Sequence, residues 1–88
     1  MHTKFSDLAW EEYEYWAKTD VKTLNKINRL LDDIDRNGNM KGLGKPEPLK
    51  GDLSGYFSRR IDDCNRLVYK KADDGMIYIL QCRYHYSK

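Results

Sequence analysis

Apolar residues in the first third of the chain recur at intervals of three and four. Ala9, Tyr13, Trp16 and Ala17 share one face of a helix predicted over about 7–17. Ser6 is its N-cap and Asp7 lies in its first turn, where a carboxylate meets the exposed N–H groups. Leu24, Ile27, Leu31 and Ile34 form a second stripe, with Lys22, Lys26, Arg29 and Asp33 outside it. Asp20 opens that helix and Asn37-Gly38 ends it, glycine accepting the positive φ that a helix stop needs. Thr3-Lys4-Phe5 precedes both helices as a short strand. Downstream the period shortens to two, predicting strands at about 56–62, 65–71 and 76–85. Tight turns at Asp62-Asp63-Cys64-Asn65 and Ala72-Asp73-Asp74-Gly75 make these strands antiparallel neighbours. Residues 38–55, rich in Gly and Pro, carry neither period and are expected to be irregular. The fold class that follows is α+β: a short N-terminal strand and two helices packed on one face of an antiparallel β-sheet. No repeat, linker or second core is visible, so residues 1–88 are expected to form a single domain.

Strand alternation assigns faces. On the first long strand Phe57, Arg59 and Ile61 oppose Tyr56, Ser58 and Arg60; on the second, Leu67 and Tyr69 oppose Arg66 and Val68. On the third, Met76, Tyr78, Leu80, Cys82 and Tyr84 oppose Ile77, Ile79, Gln81, Arg83 and His85. With the apolar sets against the helices, the other face is expected to carry Ser58, Arg60, Arg66, Gln81, Arg83 and His85. A solvated sheet face usually collects Lys, Glu and Thr. This one collects arginines, which repel one another unless an anion joins them.

Composition narrows the class. With 40% hydrophobic and 34% charged residues the chain has the make-up of a globular domain. No apolar run reaches the roughly 20 residues a membrane span needs, and no signal segment opens the chain, so a cytoplasmic protein without a membrane role is expected. Cys64 and Cys82 are too far apart in sequence to suggest a zinc motif and are read as free thiols. The net charge of +2 hides an asymmetry. Residues 1–37 hold six Lys/Arg against eight Asp/Glu, while residues 38–88 hold ten against six. A basic C-terminal half suits a polyanionic ligand, since phosphate contacts dominate nucleic-acid affinity.

Candidate chemistry concentrates in that half. His85 is one of two histidines, and imidazole exchanges protons near neutral pH. Glu47 stands between two prolines in Lys45-Pro46-Glu47-Pro48-Leu49-Lys50; the rings bias Lys45 and Glu47 toward extended backbone and hold the carboxylate still. Arg59, Arg60 and Arg66 supply clustered cations. Cleaving an RNA backbone needs a base for the 2′-hydroxyl, charge stabilisation at phosphorus and an acid for the departing 5′-oxygen. Glu47, Arg66 with Arg60, and His85 can fill those roles, Lys45 and Lys50 can hold phosphate, and Tyr86 can bond phosphate or stack on a base. Singly, each has a plainer reading: Glu47 pairing with a lysine, His85 solvated near the chain end. No metal-ligand cluster, nucleophile elbow or phosphate-binding glycine loop competes, so neither metal nor cofactor is expected.

Trp10, Tyr15-Trp16, Lys26-Ile27-Asn28, Gly44-Lys45-Pro46-Glu47-Pro48-Leu49-Lys50, Leu53-Ser54-Gly55, Ser58-Arg59-Arg60-Ile61, Arg66-Leu67-Val68-Tyr69 and Cys82-Arg83-Tyr84-His85-Tyr86 together resemble the YoeB/Txe toxins of bacterial toxin–antitoxin modules, in the RelE-like superfamily. The resemblance spans essentially the whole chain. It implies a RelE-like, microbial-ribonuclease-like fold and a metal-independent mRNA endoribonuclease. Such an enzyme cleaves in the ribosomal A site, leaves a 2′,3′-cyclic phosphate and is neutralised by a cognate YefM-like antitoxin. It also implies Glu47 as general base, Arg66 as charge stabiliser, His85 as general acid and Tyr86 as substrate-orienting, with Lys50 and Arg60 near the phosphate; Lys45 from the basic loop and Arg83 from the arginine-bearing face are expected to bind substrate or phosphate beside them. Family members can be homodimers and reach operator DNA through the antitoxin complex. Two departures stand out: Ser87-Lys88 follow the tyrosine at which relatives commonly end, and Asn65 stands where several relatives carry histidine. The alternatives are a non-catalytic module that binds RNA or the ribosome and represses by occupancy, and a corepressor acting with an antitoxin.

Overall fold

The computed structural model describes residues 2–85. Strand β1 (Thr3–Phe5) leads into helix α1 (Asp7–Thr19), then α2 (Val21–Asn37), β2 (Glu47–Pro48), a 3₁₀ turn at Gly51–Leu53, β3 (Phe57–Arg60), β4 (Arg66–Lys71) and β5 (Ile77–Gln81). Ser6 caps α1 by accepting the Ala9 N–H at 3.0 Å, and its Oγ donates to Leu80 O at 2.9 Å. The cap therefore also ties the helix to β5. Asp20 closes α1 through its N–H to Trp16 O and caps α2 through Oδ1, which accepts from Thr23 N. One residue thus serves both helices of a tight helical hairpin, and α1 runs two residues further than its apolar spacing predicts. Gly38, at φ +84°, ends α2.

The five strands lie in the order β1-β5-β4-β3-β2. All neighbours are antiparallel except β1, which runs parallel to β5, so the sheet is mixed. The expected antiparallel sheet is corrected only at that edge: after the helices the chain re-enters at β2, farthest from β1, and β5 arrives beside β1 last, running in the same direction. A second correction concerns residues 38–55. Glu47 and Pro48 form an edge strand in register with Ser58 and Phe57, a position where a proline leaves no ladder bond unmade.

Both helices pack on one face. Ala9, Trp16, Ile27, Leu30, Leu31 and Ile34 meet Ile61, Leu67, Tyr69, Ile77, Ile79 and Cys82 in one core, where each fully buried aliphatic contributes about 1.5–3 kcal/mol of transfer free energy. Of the α1 stripe expected there, Ala9 and Trp16 are buried and Tyr13 half-buried, but Ala17 is exposed, as are Trp10 and Tyr15 off the stripe. The parity of β5 also needs correcting. Val68 pairs with Gln81 while Tyr69 pairs with Ile79, so Leu80 is an extra residue in a β-bulge. Ile77, Ile79 and Cys82 therefore all face the helices, whereas Tyr78 turns to the outer face. Among the described residues no helix is long and apolar enough to cross a membrane.

α1 grips the end of β5 from the core side. Trp16 Nε1 donates to Cys82 O at 2.9 Å, and Glu12 Oε1 accepts the Cys82 N–H at 2.8 Å. Burial pushes the Glu12 carboxyl up, against the lowering pull of that hydrogen bond and of Arg83. Burial, with the nearby Glu12 charge, pushes the Cys82 thiol up to about 12.

Candidate active site

The loop after α2 is fastened before it reaches Glu47. Gly44, at φ +82°, packs so that a Cβ would meet Arg59 Cβ and Arg60 O at 3.0 Å, and its carbonyl accepts the Arg60 N–H at 2.7 Å. Lys45 follows at φ +52°. That departs from the extended backbone its following proline favours; between the Gly44 anchor and the register of Glu47 with Ser58 lie only Lys45 and Pro46, and the proline ring fixes φ, so Lys45 takes the turn. Beyond Glu47, Leu49 is buried and its N–H bonds Tyr56 O at 3.0 Å, closing the loop onto β3. Glu47, Lys45 and Lys50 are all exposed.

Arg60 and Arg66 lie directly opposite each other across β3 and β4. Like charges in that position destabilise a strand pair. Arg66 is nearly buried, at 9% exposure, with one Nη held by Asp62 O at 2.7 Å and Asn65 O at 3.0 Å; Arg60 is exposed. Among the described residues neither arginine has an ion-pair partner, the single such pair joining Arg59 to Asp33. Ser58 and Val68, both buried, provide a floor of small side chains between this pair and the next row of the sheet. From strand spacing, Glu47 and Arg66 stand about 12 Å apart at Cα, a gap their side chains can close over a phosphodiester.

His85 reaches the same end of the sheet through a kinked tail. Tyr84 takes φ +66°, its N–H donates to Asn65 Oδ1 at 2.7 Å, and its carbonyl accepts the Arg66 N–H at 3.0 Å. Gln81 Nε2 donates to Arg83 O at 3.2 Å. His85 follows these bonds and is exposed. Tyr86 lies outside the described residues.

Glu47, Arg60, Arg66 and the segment bearing His85 thus gather at one end of the outer sheet face, flanked by Lys45 and Lys50. Arg83 does not join them. Its guanidinium carbon sits 3.6 Å from the centroid of the Tyr15 ring and 4.4 Å from that of Tyr84, on the α1 side; β5 ends at Gln81, so alternation no longer fixes the face of Arg83. Asn65 and Glu12, which hold the tail, were not legible as site residues; their partners come 19 and 70 residues later in sequence. Arg59 stands apart from the other two arginines as a buried structural group on the core face.

The family model for the YoeB-like toxin of bacterial type II toxin–antitoxin systems matches residues 5–86. A Toxin YoeB from Streptomyces coelicolor is 58% identical over 86 residues, covering 98% of this chain and 100% of that protein. In the heterotetrameric YoeB–YefM toxin–antitoxin complex from Staphylococcus aureus, a chain 51% identical superposes with a TM-score of 0.91, covering 98% of both chains. The YoeB dimer from the same species superposes at 0.90 with 51% identity and the same coverage. This chain belongs to the YoeB-like toxins of bacterial type II toxin–antitoxin systems.

Proposed function

We propose that the chain is a ribosome-dependent mRNA endoribonuclease, acting in the cytoplasm as one 88-residue domain and silenced by a YefM-like antitoxin. The observation that carries this reading is the opposed Arg60–Arg66 pair beside Glu47: two like charges held face to face are a site that an anion completes. Glu47 takes the proton of the 2′-hydroxyl, whose oxygen attacks the adjacent phosphorus. Arg66 and Arg60 stabilise the added negative charge on the phosphorane. His85 protonates the 5′-oxygen as its bond to phosphorus breaks, leaving a 2′,3′-cyclic phosphate and a free 5′-hydroxyl. Lys45 and Lys50 draw the backbone in, and Tyr86 orients it. Arg83, stacked on α1, steadies the tail rather than the phosphate. The ribosomal setting follows from the family resemblance. A YefM partner and a homodimer are supported by relatives at 51% identity that form them.

The test is primer-extension mapping of mRNA 5′ ends in purified translation reactions, with and without ribosomes. Wild type should create new ends only with ribosomes. Glu47→Gln, at an exposed position, should fold normally and cut about 10²–10⁴-fold more slowly. Stalled translation without new ends would show repression by occupancy instead.

A further inference from the structure

The register places an unassigned row of side chains next to the catalytic row. Tyr56 precedes β3 by one residue and shares the outer face with Lys70, which pairs with Tyr78, which in turn pairs with Lys4. Tyr78 therefore stands between two lysines on adjacent strands. The row crosses four strands, roughly 14 Å at ordinary strand spacing, and lies two residues, about 7 Å, along β3 from Ser58, the partner of Glu47. Tyr56 and Tyr78 are half-buried and border a depression of about 140 Å³ that Lys4 also lines. The Lys70 ammonium sits 5.5 Å from the Tyr56 ring centroid, so that ring already has a cation on it. Among the described residues the Tyr78 ring has no aromatic or cation–π partner of this kind.

We propose that this row is a second RNA subsite, in which Tyr78 stacks on the base of a nucleotide further along the strand from the scissile phosphate while Lys70 and Lys4 hold its flanking phosphates. The inference rests on the ribonuclease reading of the adjacent centre. Interleaved rings and cations are the arrangement that binds single strands without reading sequence, because every base has a π face and every linkage a charge. A protein partner would also meet the lysines, but it would not need a ring between them, and the row continues a surface already suited to phosphate. From strand spacing Tyr78 stands about 16 Å from Glu47 at Cα, so RNA that runs on past the scissile linkage across the sheet reaches it.

The experiment uses the full chain carrying Glu47→Gln, so that RNA stays intact, titrated with a fluorescein-labelled single-stranded RNA. Adding Tyr78→Leu, which keeps apolar bulk but removes the ring, should weaken binding on the order of 10-fold, and Tyr78→Phe should restore it. Lys70→Gln should lower the slope of log affinity against log salt by about one. An abasic version of the same RNA should bind Tyr78→Leu and its parent equally. Unchanged affinity in Tyr78→Leu, or equal loss with the abasic strand, overturns the subsite. So does loss of antitoxin binding with RNA affinity unchanged, which would assign the row to the protein partner. A parent that binds no RNA outside the ribosome overturns the subsite alone, because the ribonuclease reading is tested separately by new mRNA ends in the presence of ribosomes.

Discussion

The Asn65 carboxamide accepts the Tyr84 N–H through Oδ1, while its Nδ2 reaches both carboxylate oxygens of Asp62 at 3.1 Å. The Arg66 N–H closes the same joint on Tyr84 O. Tyr84 needs both bonds, because a left-handed backbone costs a non-glycine residue on the order of 1–2 kcal/mol. Without them the tail would relax toward extended backbone and carry His85 away from Arg66. Asn65→Ala should therefore lower kcat for ribosome-dependent cleavage by roughly 10-fold with KM nearly unchanged, and cost about 1 kcal/mol of stability, the usual worth of one hydrogen bond. A kcat equal to wild type would show that the joint does not position the acid. At this scale Glu47, Arg66 and His85 could be singled out as candidates from residue type and spacing. The joint was not, because it depends on which loop meets which tail. Arg83 illustrates the same limit: its type suggests phosphate, and its place over the Tyr15 ring could not be read from type or spacing.

Between elements, register decides what the arginines do. Facing each other across β3 and β4, Arg60 and Arg66 work against the pairing that holds them. Arg60→Thr should therefore raise stability by about 0.5 kcal/mol in chloride at low salt, read from denaturant midpoints, while cutting cleavage at least 10-fold. Sulfate should stabilise wild type more than the variant, since it binds the folded pair; a variant less stable than wild type in chloride would refute the repulsion. This pair was readable from alternation because β3 and β4 run uninterrupted. β5 was misread because one bulged residue inverts every face beyond it. β2 escaped notice because two residues, one a proline, carry no period at all. The strand that carries Glu47 was thus the least legible element of the candidate site.

Across the whole molecule, Arg59 joins the two layers. Fully buried, it donates from Nε to Tyr69 Oη at 2.9 Å, from one Nη to Asp33 Oδ2 and Leu43 O, and from the other to Gly38 O and Lys41 O. All five N–H donors are used, and they bind α2, the loop leading to Glu47, and β4 to β3. Parity put Arg59 on the core face; its partners lie in the aperiodic loop and could not be read. Burial pushes the Asp33 carboxyl up, but the Leu43 N–H, Arg59 and Asn37 outweigh it and hold it below its ordinary 3.8. A depressed carboxyl stabilises the fold above its unfolded value and loses that contribution as pH falls through the folded one. Glu12, raised by burial from 4.5, works with the opposite sign: its contribution falls as pH rises above that value. Asp33→Asn should cost about 2–3 kcal/mol at neutral pH, toward the low end for breaking a buried pair, because Asp33 keeps 15% of its side-chain surface in solvent and asparagine can still accept one hydrogen bond. Its stability should also fall less steeply than that of wild type below about pH 4, since the group that titrates there is gone. Urea midpoints measured across that acid range check both expectations. Parallel curves for the two proteins would mean that Asp33 does not set the acid limit, and that Arg59 is held by the loop carbonyls alone.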